Sequence, residues 1–213
     1  MWISRFVSSQ RAVSTAIVAG WLVCASQPAN SERQQPQSNW TSPDAPCANF
    51  DNLRNPVRRD IGVKIDAAGP WADGFRRALR FWNTVLTANL HEEPDLSVCS
   101  IRIIDGNPGM FDQAVAARSQ MTDWAKFRGK IAVSSVAAKG MNSAEIYAAA
   151  VHEIGHMLGL KHNANVHSVM YFLDVEGSEV LDSRDISDLS RRHELRPVIL
   201  AADFVPIQES SGK

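Results

Sequence analysis

Three histidines and one glutamate near the middle of the chain have the types and spacing of a metal-dependent active site. His152 and His156 are four residues apart, so on a helix their imidazoles project from the same face, one turn above the other. Two neutral imidazoles placed in this way can bind one zinc ion. Gly159 can end the helix in a left-handed conformation, and the chain then folds back so that His162 reaches the same ion. Three protein ligands and one open position are typical of catalytic rather than structural zinc.

Glu153 directly follows the first histidine, so its carboxylate cannot reach the coordination position of that residue. It is placed instead to accept a proton from a water at the metal. A bare H-E-x-x-H also occurs by chance in amphipathic helices, where the histidines are only polar surface residues. The longer pattern H-E-x-x-H-x-x-G-x-x-H fixes six positions over eleven residues. We therefore predict one catalytic zinc ion, held by His152, His156 and His162, with Glu153 as general base.

A methionine lies eight residues after the third histidine, in Ser168-Val-Met-Tyr171. Metzincin zinc metalloproteases carry the methionine of their Met-turn in this position, so the chain resembles a metzincin on these residues. It looks most like the matrixin-like branch, because Phe172 stands where the astacin- and serralysin-like branches place a tyrosine. The resemblance implies an α+β fold, namely a zincin catalytic domain with a mixed twisted sheet, two long helices, a Met-turn and a C-terminal helix.

The resemblance also implies roles for residues around the metal. Met170 is expected under the zinc site as an apolar floor, and Tyr171 and Phe172 as the wall of the pocket for the residue after the cut. The implied activity is hydrolysis of peptide bonds in protein or peptide substrates by a secreted zinc endopeptidase. The alternative is a catalytically silent, secreted binding module stabilised by zinc. Glu153 favours the enzyme, because a binding module has no use for a carboxylate that is not a ligand.

The chain departs from the matrixin pattern in the stretch that usually holds a second, structural zinc. Residues 105–118 contain Asp105 and Asp112 but no histidine, so we expect no structural zinc, and no calcium loop is legible. His167 could be a spare ligand or a donor to one, but a solvent-facing turn residue is the simpler interpretation. We also expect His91 and His193 to be exposed, because both have polar neighbours in the sequence.

The composition indicates one ordinary globular domain. The chain has 213 residues, 45% of them hydrophobic and 21% charged, with a net charge of −1. Acidic and basic residues are mixed throughout, which argues against a nucleic-acid partner or an anionic membrane surface. We expect a monomer.

The first 26 residues have the form of a secretory signal peptide. Arg5 and Arg11 precede 14 uncharged, mostly apolar residues, Ala12–Ala25, a run too short for a stable membrane span. An uncleaved anchor, or a lipoprotein acylated on Cys24, is the rival interpretation. We therefore predict a secreted or periplasmic protein, with a flexible leader at residues 27–56, a catalytic domain at 57–200 and a C-terminal tail at 201–213.

Hydrophobic periodicity predicts the elements that must position the histidines. Alternating or continuous apolar residues predict strands, and an apolar stripe at helical spacing predicts each helix. The predicted strands are Asp60–Asp66, Ser100–Asp105, Lys130–Ser134 and a short edge strand Ala114–Arg118. The predicted helices are Trp71–Leu90, a helix capped by Asn142 or Ser143 that runs to about Leu158, and Ser183–His193.

Cys47 and Cys99 remain after removal of the predicted signal peptide. An even pair in an exported protein predicts a disulfide, which would stabilise the domain by about 4 kcal/mol in the chain-entropy model. The alternative is a latency switch in which the Cys47 thiolate occupies the open zinc position, although Asp44-Ala-Pro-Cys47 lacks the Arg and Gly that flank the matrixin switch cysteine.

Peptide mapping without reductant should recover the two cysteines in one linked peptide pair. A free Cys47 thiol, with activation on removal of residues 27–56, would establish the switch instead.

Overall fold

The computed structural model of the chain describes residues 60–95, 100–111, 115–123, 127–172 and 180–207. The predicted signal peptide and leader lie outside these ranges. Cys47 and Cys99 lie outside them too, so the disulfide stays a prediction.

A five-stranded mixed sheet forms the framework of the domain. The strands are β1 (Asp60–Ile65), β2 (Asn89–Glu92), β3 (Ile101–Asp105), β4 (Ala117–Asp123) and β5 (Arg128–Val133). Their order in the sheet is β2-β1-β3-β5-β4, with β4 at one edge. Neighbouring strands are parallel except for β4, which runs antiparallel to β5. The fold is thus the predicted α+β arrangement with a mixed sheet.

Two long helices pack against each other and share one apolar core with the sheet. They are α1 (Pro70–Val85) and α3 (Ser143–Met157), and a short helix α2 (Ser135–Ala138) precedes α3. The helices approach closely where Gly74 of α1 meets Ile146 of α3, since a Cβ at residue 74 would lie 2.8 Å from Cγ2 of Ile146. Among the helices in the described ranges, none has the length and hydropathy to cross a membrane.

The chain from residue 180 onwards adds a two-stranded sheet and two short helices to the same domain. It contains β6 (Val180–Asp182), α4 (Ser183–Ser190), α5 (Pro197–Leu200) and β7 (Phe204–Pro206). Strand β7 pairs antiparallel with β6, and Ile207 is buried. The boundary that we predicted at residue 200 is therefore too early, because residues 204–207 belong to the folded domain.

The predicted helix Trp71–Leu90 is too long, and the sequence analysis missed β2. Helix α1 ends at Val85, and Leu86 is already extended with ψ of 153°. The side chain of Asn83 then exchanges two hydrogen bonds with the backbone of Leu90, at 2.7 and 2.8 Å. These bonds fix Leu90 in a strand beside β1 rather than in another helical turn.

Two further boundaries differ from the prediction. The edge strand begins at Ala117 and continues to Asp123, not over Ala114–Arg118, because its pairing with β5 sets its length. The helix predicted over Ser183–His193 is α4, which ends at Ser190, and the short helix α5 follows it. Residues beyond Ser190 leave the helix to contact the ends of α1 and α3.

The N-terminus of α3 has the predicted capping box. The Asn142 side chain accepts hydrogen bonds from the N–H groups of Ala144 and Glu145, and the Glu145 side chain accepts from the N–H of Asn142. Helix α3 therefore begins at a fixed residue, which sets the angular position of every side chain further along it.

We predict that Asn142→Ala lowers the free energy of unfolding by about 1 kcal/mol, because two N–H groups lose their acceptor. Urea denaturation followed by circular dichroism measures the change. Asn142→Asp is the matched control, since it keeps an acceptor oxygen and should unfold near the wild-type midpoint. Equal losses in the two variants would show that the side-chain acceptor is not what stabilises this helix end.

Candidate metal centre

Helix α3 and the segment after it bring three histidine rings to one point. The ring centroids of His152 and His156 are 4.5 Å apart, and the rings are perpendicular. The centroid of His162 is 5.4 Å from that of His152 and 5.0 Å from that of His156. One ligand nitrogen from each ring lies within 4.8 Å of the others. A single metal ion could therefore contact all three residues.

Two backbone carbonyls determine which nitrogen of each helical histidine faces the ion. Nδ1 of His152 is 2.6 Å from the carbonyl oxygen of Val169, and Nδ1 of His156 is 2.9 Å from that of Leu160. A carbonyl oxygen can only accept, so each Nδ1 carries the proton and each Nε2 keeps its lone pair. This arrangement orients both rings and makes their Nε2 atoms better ligands.

The Nε2 atoms of His152, His156 and His162 are all buried and have no hydrogen-bond partner among the described residues. Buried polar atoms in proteins rarely lack a partner. A zinc ion would supply one partner for all three nitrogens, and imidazole nitrogen is a ligand that zinc prefers. The donor set therefore fits zinc.

Burial lowers the pKa of all three histidines, and it lowers that of His156 to about 4. For His152 and His156 the neighbouring imidazoles act in the same direction, because a positive charge on one ring disfavours a second charge close by. At neutral pH the rings are therefore uncharged, as metal ligands must be.

A Schellman turn at the end of α3 carries the third histidine to the other two. Gly159 has φ of 93°, as its role at the helix end requires. Its N–H donates to the carbonyl of His156 at 3.0 Å, and the N–H of Leu160 donates to that of Gly155 at 2.9 Å. The carbonyl of Leu160 also accepts from Nδ1 of His156. This turn therefore orients His156 and also brings His162 to the other two histidines.

Glu153 lies beside the histidines on α3 and is fully buried. Neither of its carboxylate oxygens has a partner at ordinary hydrogen-bond geometry among the described residues, but the Ser119 hydroxyl of β4 lies close enough to favour the charged form. Burial raises the pKa of Glu153 to about 7, while Ser119 and Arg118 of β4 act to lower it. A carboxyl group with such a pKa can take up and release a proton near neutral pH.

Met170 lies against α3 at Gly155. This glycine lies between the two helical histidines in the sequence. A Cβ at residue 155 would be 2.6 Å from Sδ of Met170 and 3.4 Å from Cζ2 of Trp82. The methionine is fully buried. Met170 thus packs against the helix that carries two of the histidines, and Gly155 leaves the space for its sulfur.

The family model of the matrixins, described as Matrixin, matches residues 63–191, which are 129 of the 213 residues. The chain belongs to the matrixin family. It is thus a member of a family of zinc metallopeptidases that act on proteins, and the resemblance to the matrixin-like branch of metzincins is confirmed. Comparison with curated proteins finds no match.

In this matrixin, the buried carboxylate of Asp185 connects the third ligand's segment to the Met-turn. Its Oδ1 accepts from the side-chain amide of Asn163 at 3.0 Å, and its Oδ2 accepts from the hydroxyl of Ser168 at 2.6 Å. Asn163 directly follows His162, and the Ser168 oxygen in turn accepts from the N–H of Met170 at 2.9 Å. Burial raises the pKa of Asp185, and the two side-chain hydrogen bonds act in the opposite direction.

The remaining predicted residues have mixed outcomes. His167 is exposed, as expected, and does not join the histidine cluster. His193 was predicted to be exposed, and this prediction is wrong, because only 6% of its surface is accessible. Tyr171 and Phe172 pack side by side, and the Phe172 ring centroid is 6.2 Å from that of His162.

Three features of the site were not predicted from the sequence. They are the backbone carbonyl acceptors of Val169 and Leu160, the buried carboxylate of Asp185, and the burial of His193. The carbonyls leave no trace in residue types. For Asp185 a signal was available, since Asp182 and Asp185 have the spacing of a capping box at the start of α4.

We predict that Asp185→Ala lowers the free energy of unfolding by about 3 kcal/mol. The buried donors of Asn163 and Ser168 lose their acceptor, and each loss costs roughly 1–3 kcal/mol. Urea denaturation measures the change.

Asp188→Ala is the matched control on the same helix. Its carboxylate pairs with Arg191 at the surface, so its removal should change stability by no more than about 0.5 kcal/mol. Similar losses in the two variants would contradict a special role for the buried carboxylate.

Proposed function

We propose that this matrixin is an exported endopeptidase that uses a single catalytic zinc ion, with Glu153 as its general base. The observation that carries the proposal is the buried Glu153 carboxylate beside three neutral histidines whose Nε2 atoms converge. A carboxylate that lies fully buried with only one neighbouring hydroxyl, that of Ser119, is costly to maintain. A protein that kept zinc only for stability would gain nothing from it.

A zinc ion held by His152, His156 and His162 would supply Lewis-acid chemistry, since it polarises the scissile carbonyl and makes a water molecule a stronger nucleophile. Glu153 accepts the proton of the attacking water and then transfers it to the nitrogen of the leaving amine. The carboxylate thus ends the reaction in the state in which it began.

The exposed edge of the sheet is the proposed binding position of the substrate. Strand β4 is the last strand of the sheet, so one side of its backbone has no strand partner in the part of the chain that the structure describes. An extended peptide can pair with such an edge. Strand β4 also packs against α3 and carries Ser119, which lies next to Glu153. A peptide on this edge would therefore pass close to the general base.

Tyr171 and Phe172 are proposed as the wall of the pocket for the residue after the cut. Phe172 is 44% exposed, although it is a large apolar side chain, and it lies beside the third ligand. An exposed aromatic ring next to the metal site is suited to packing against a substrate side chain.

Export rests on the sequence pattern of the first 26 residues, in which two arginines precede an uncharged apolar run. The proposed location is the periplasm or the extracellular medium.

Glu153→Gln tests the general base. We predict that this variant folds and binds zinc like the wild type, because the carboxylate is not a ligand, while its rate of peptide hydrolysis falls by at least about 10²–10⁴-fold. Cleavage of a casein-like substrate and the zinc content per chain are measured on the same preparation. Glu194→Gln, the same chemical change at an exposed residue, should leave both unchanged.

Wild-type turnover in Glu153→Gln would rule out this mechanism. If the wild-type protein binds zinc and a chelator lowers its melting temperature, but no substrate is cleaved, the silent binding module is the correct function.

A further inference from the structure

Residues 192–196, here called the crossover segment, follow α4 and cross the C-terminal ends of both long helices. At the end of α1, the N–H of Arg196 donates to the carbonyl of Val85 at 2.9 Å, and Nε of Arg196 donates to that of Asn83 at 2.8 Å. The carbonyl of Glu194 accepts from the N–H of Thr87 at 3.0 Å. Helix C-termini leave carbonyls without partners inside the helix, and basic side chains are favourable there.

His193 makes the corresponding contact at the end of α3. Its Nε2 lies 2.7 Å from the carbonyl oxygen of Leu158, the residue that caps α3. Because the carbonyl is an acceptor, Nε2 of His193 must carry a proton. The imidazole is buried, so the bond is protected from competition by water.

Leu158 opens the turn that serves the metal site. The next residue is Gly159, and Leu160 then gives its carbonyl to Nδ1 of His156 at 2.9 Å. His162 follows two residues after Leu160. A shift of the Leu158 carbonyl would therefore move the acceptor that orients the second ligand and the segment that carries the third.

Arg192 covers the same turn from outside. A Cβ at Gly159 would lie 2.9 Å from Cδ of Arg192. The end of this side chain, from Cδ to Cζ of the guanidinium, thus lies directly on the glycine, so Arg192 and His193 both contact the turn.

We infer that His193 is a positioning residue of the metal centre. Through its hydrogen bond to the Leu158 carbonyl it holds the Schellman turn in the position that directs His156 and His162 to zinc. The inference rests on the proposed zinc site and extends it, since His193 lies 31 residues beyond the last ligand in the sequence and touches no metal.

The decisive measurement is the zinc affinity of folded protein, by competition with a chromophoric chelator. Partners that orient metal ligands typically change metal affinity by about 10–100-fold. Because His193 acts through the backbone, we expect His193→Leu to bind zinc about tenfold more weakly than wild type. His193→Gln keeps an N–H donor at the ε position and should recover most of the affinity, whereas His193→Asn has the same amide with a shorter reach and should not.

Arg196→Met is the matched control. It removes a bond from the same crossover segment to a helix C-terminus, but that helix carries no metal ligand. It should lower the melting temperature while leaving zinc affinity at the wild-type value. A purely structural role for His193 would give the same pattern in His193→Leu.

Unchanged zinc affinity in His193→Leu, or an equal loss in Arg196→Met, would overturn the inference. If His193→Leu does not fold, the Gln and Asn pair decides, and equal affinities in that pair would overturn it. The wild-type protein gives an independent check, because nitrogen chemical shifts that place the His193 proton on Nδ1 would also overturn it. A wild-type protein that binds no zinc would contradict the proposed function itself, and the inference with it.

Discussion

The metal centre depends on the two hydrogen bonds that direct the helical histidines. An imidazole on a helix can rotate and can carry its proton on either nitrogen, so helical spacing alone does not present a lone pair to an ion. The carbonyls of Val169 and Leu160 remove this freedom, because each accepts from one Nδ1. Both carbonyls belong to turns beyond the helix. The described residues that follow the helix therefore serve the site in two ways, since they supply His162 and hold two backbone oxygens in place.

Asp185 and His193 place those turns from opposite ends of helix α4. Asp185 lies in the first turn of α4 and connects Asn163 with Ser168, next to the Val169 carbonyl. His193 lies beyond the last turn and holds the Leu158 carbonyl, close to that of Leu160. The C-terminal helix thus supports each helical ligand through a different loop. A buried carboxylate and a buried imidazole are expensive groups to place in a core, and their hydrogen bonds offset that cost.

The sequence predicts most of the structure that depends on adjacent residues. It predicts little of the structure that depends on contacts between residues far apart in the chain. The ligand spacing, the Gly159 turn and the Asn142 cap each depend on a few adjacent residues whose types have one good structural explanation. Strand β2 could not be predicted in this way, because the side chain of Asn83 and the neighbouring strand, rather than residue propensities, keep Leu90 out of the helix. His193 was misjudged for a similar reason. Its sequence neighbours are polar, but the crossover segment turns its ring towards the end of α3. Nothing in the sequence indicates that His193 contacts the Leu158 carbonyl.

Met170 acts as a spacer between the active helix and the turn below it. Its backbone is fixed on both sides, since its N–H donates to Ser168 and its carbonyl accepts from the N–H of Asn163 at 2.8 Å. Its sulfur then reaches the helix at Gly155, where even a methyl group would collide with it. Contact between this side chain and the bare helix surface, together with the hydrogen bond from His152 to the Val169 carbonyl, therefore holds α3 and the segment after His162 at a fixed distance. A thioether is a poor match for an imidazole zinc site, so the value of this methionine lies in its length and its fit against Gly155.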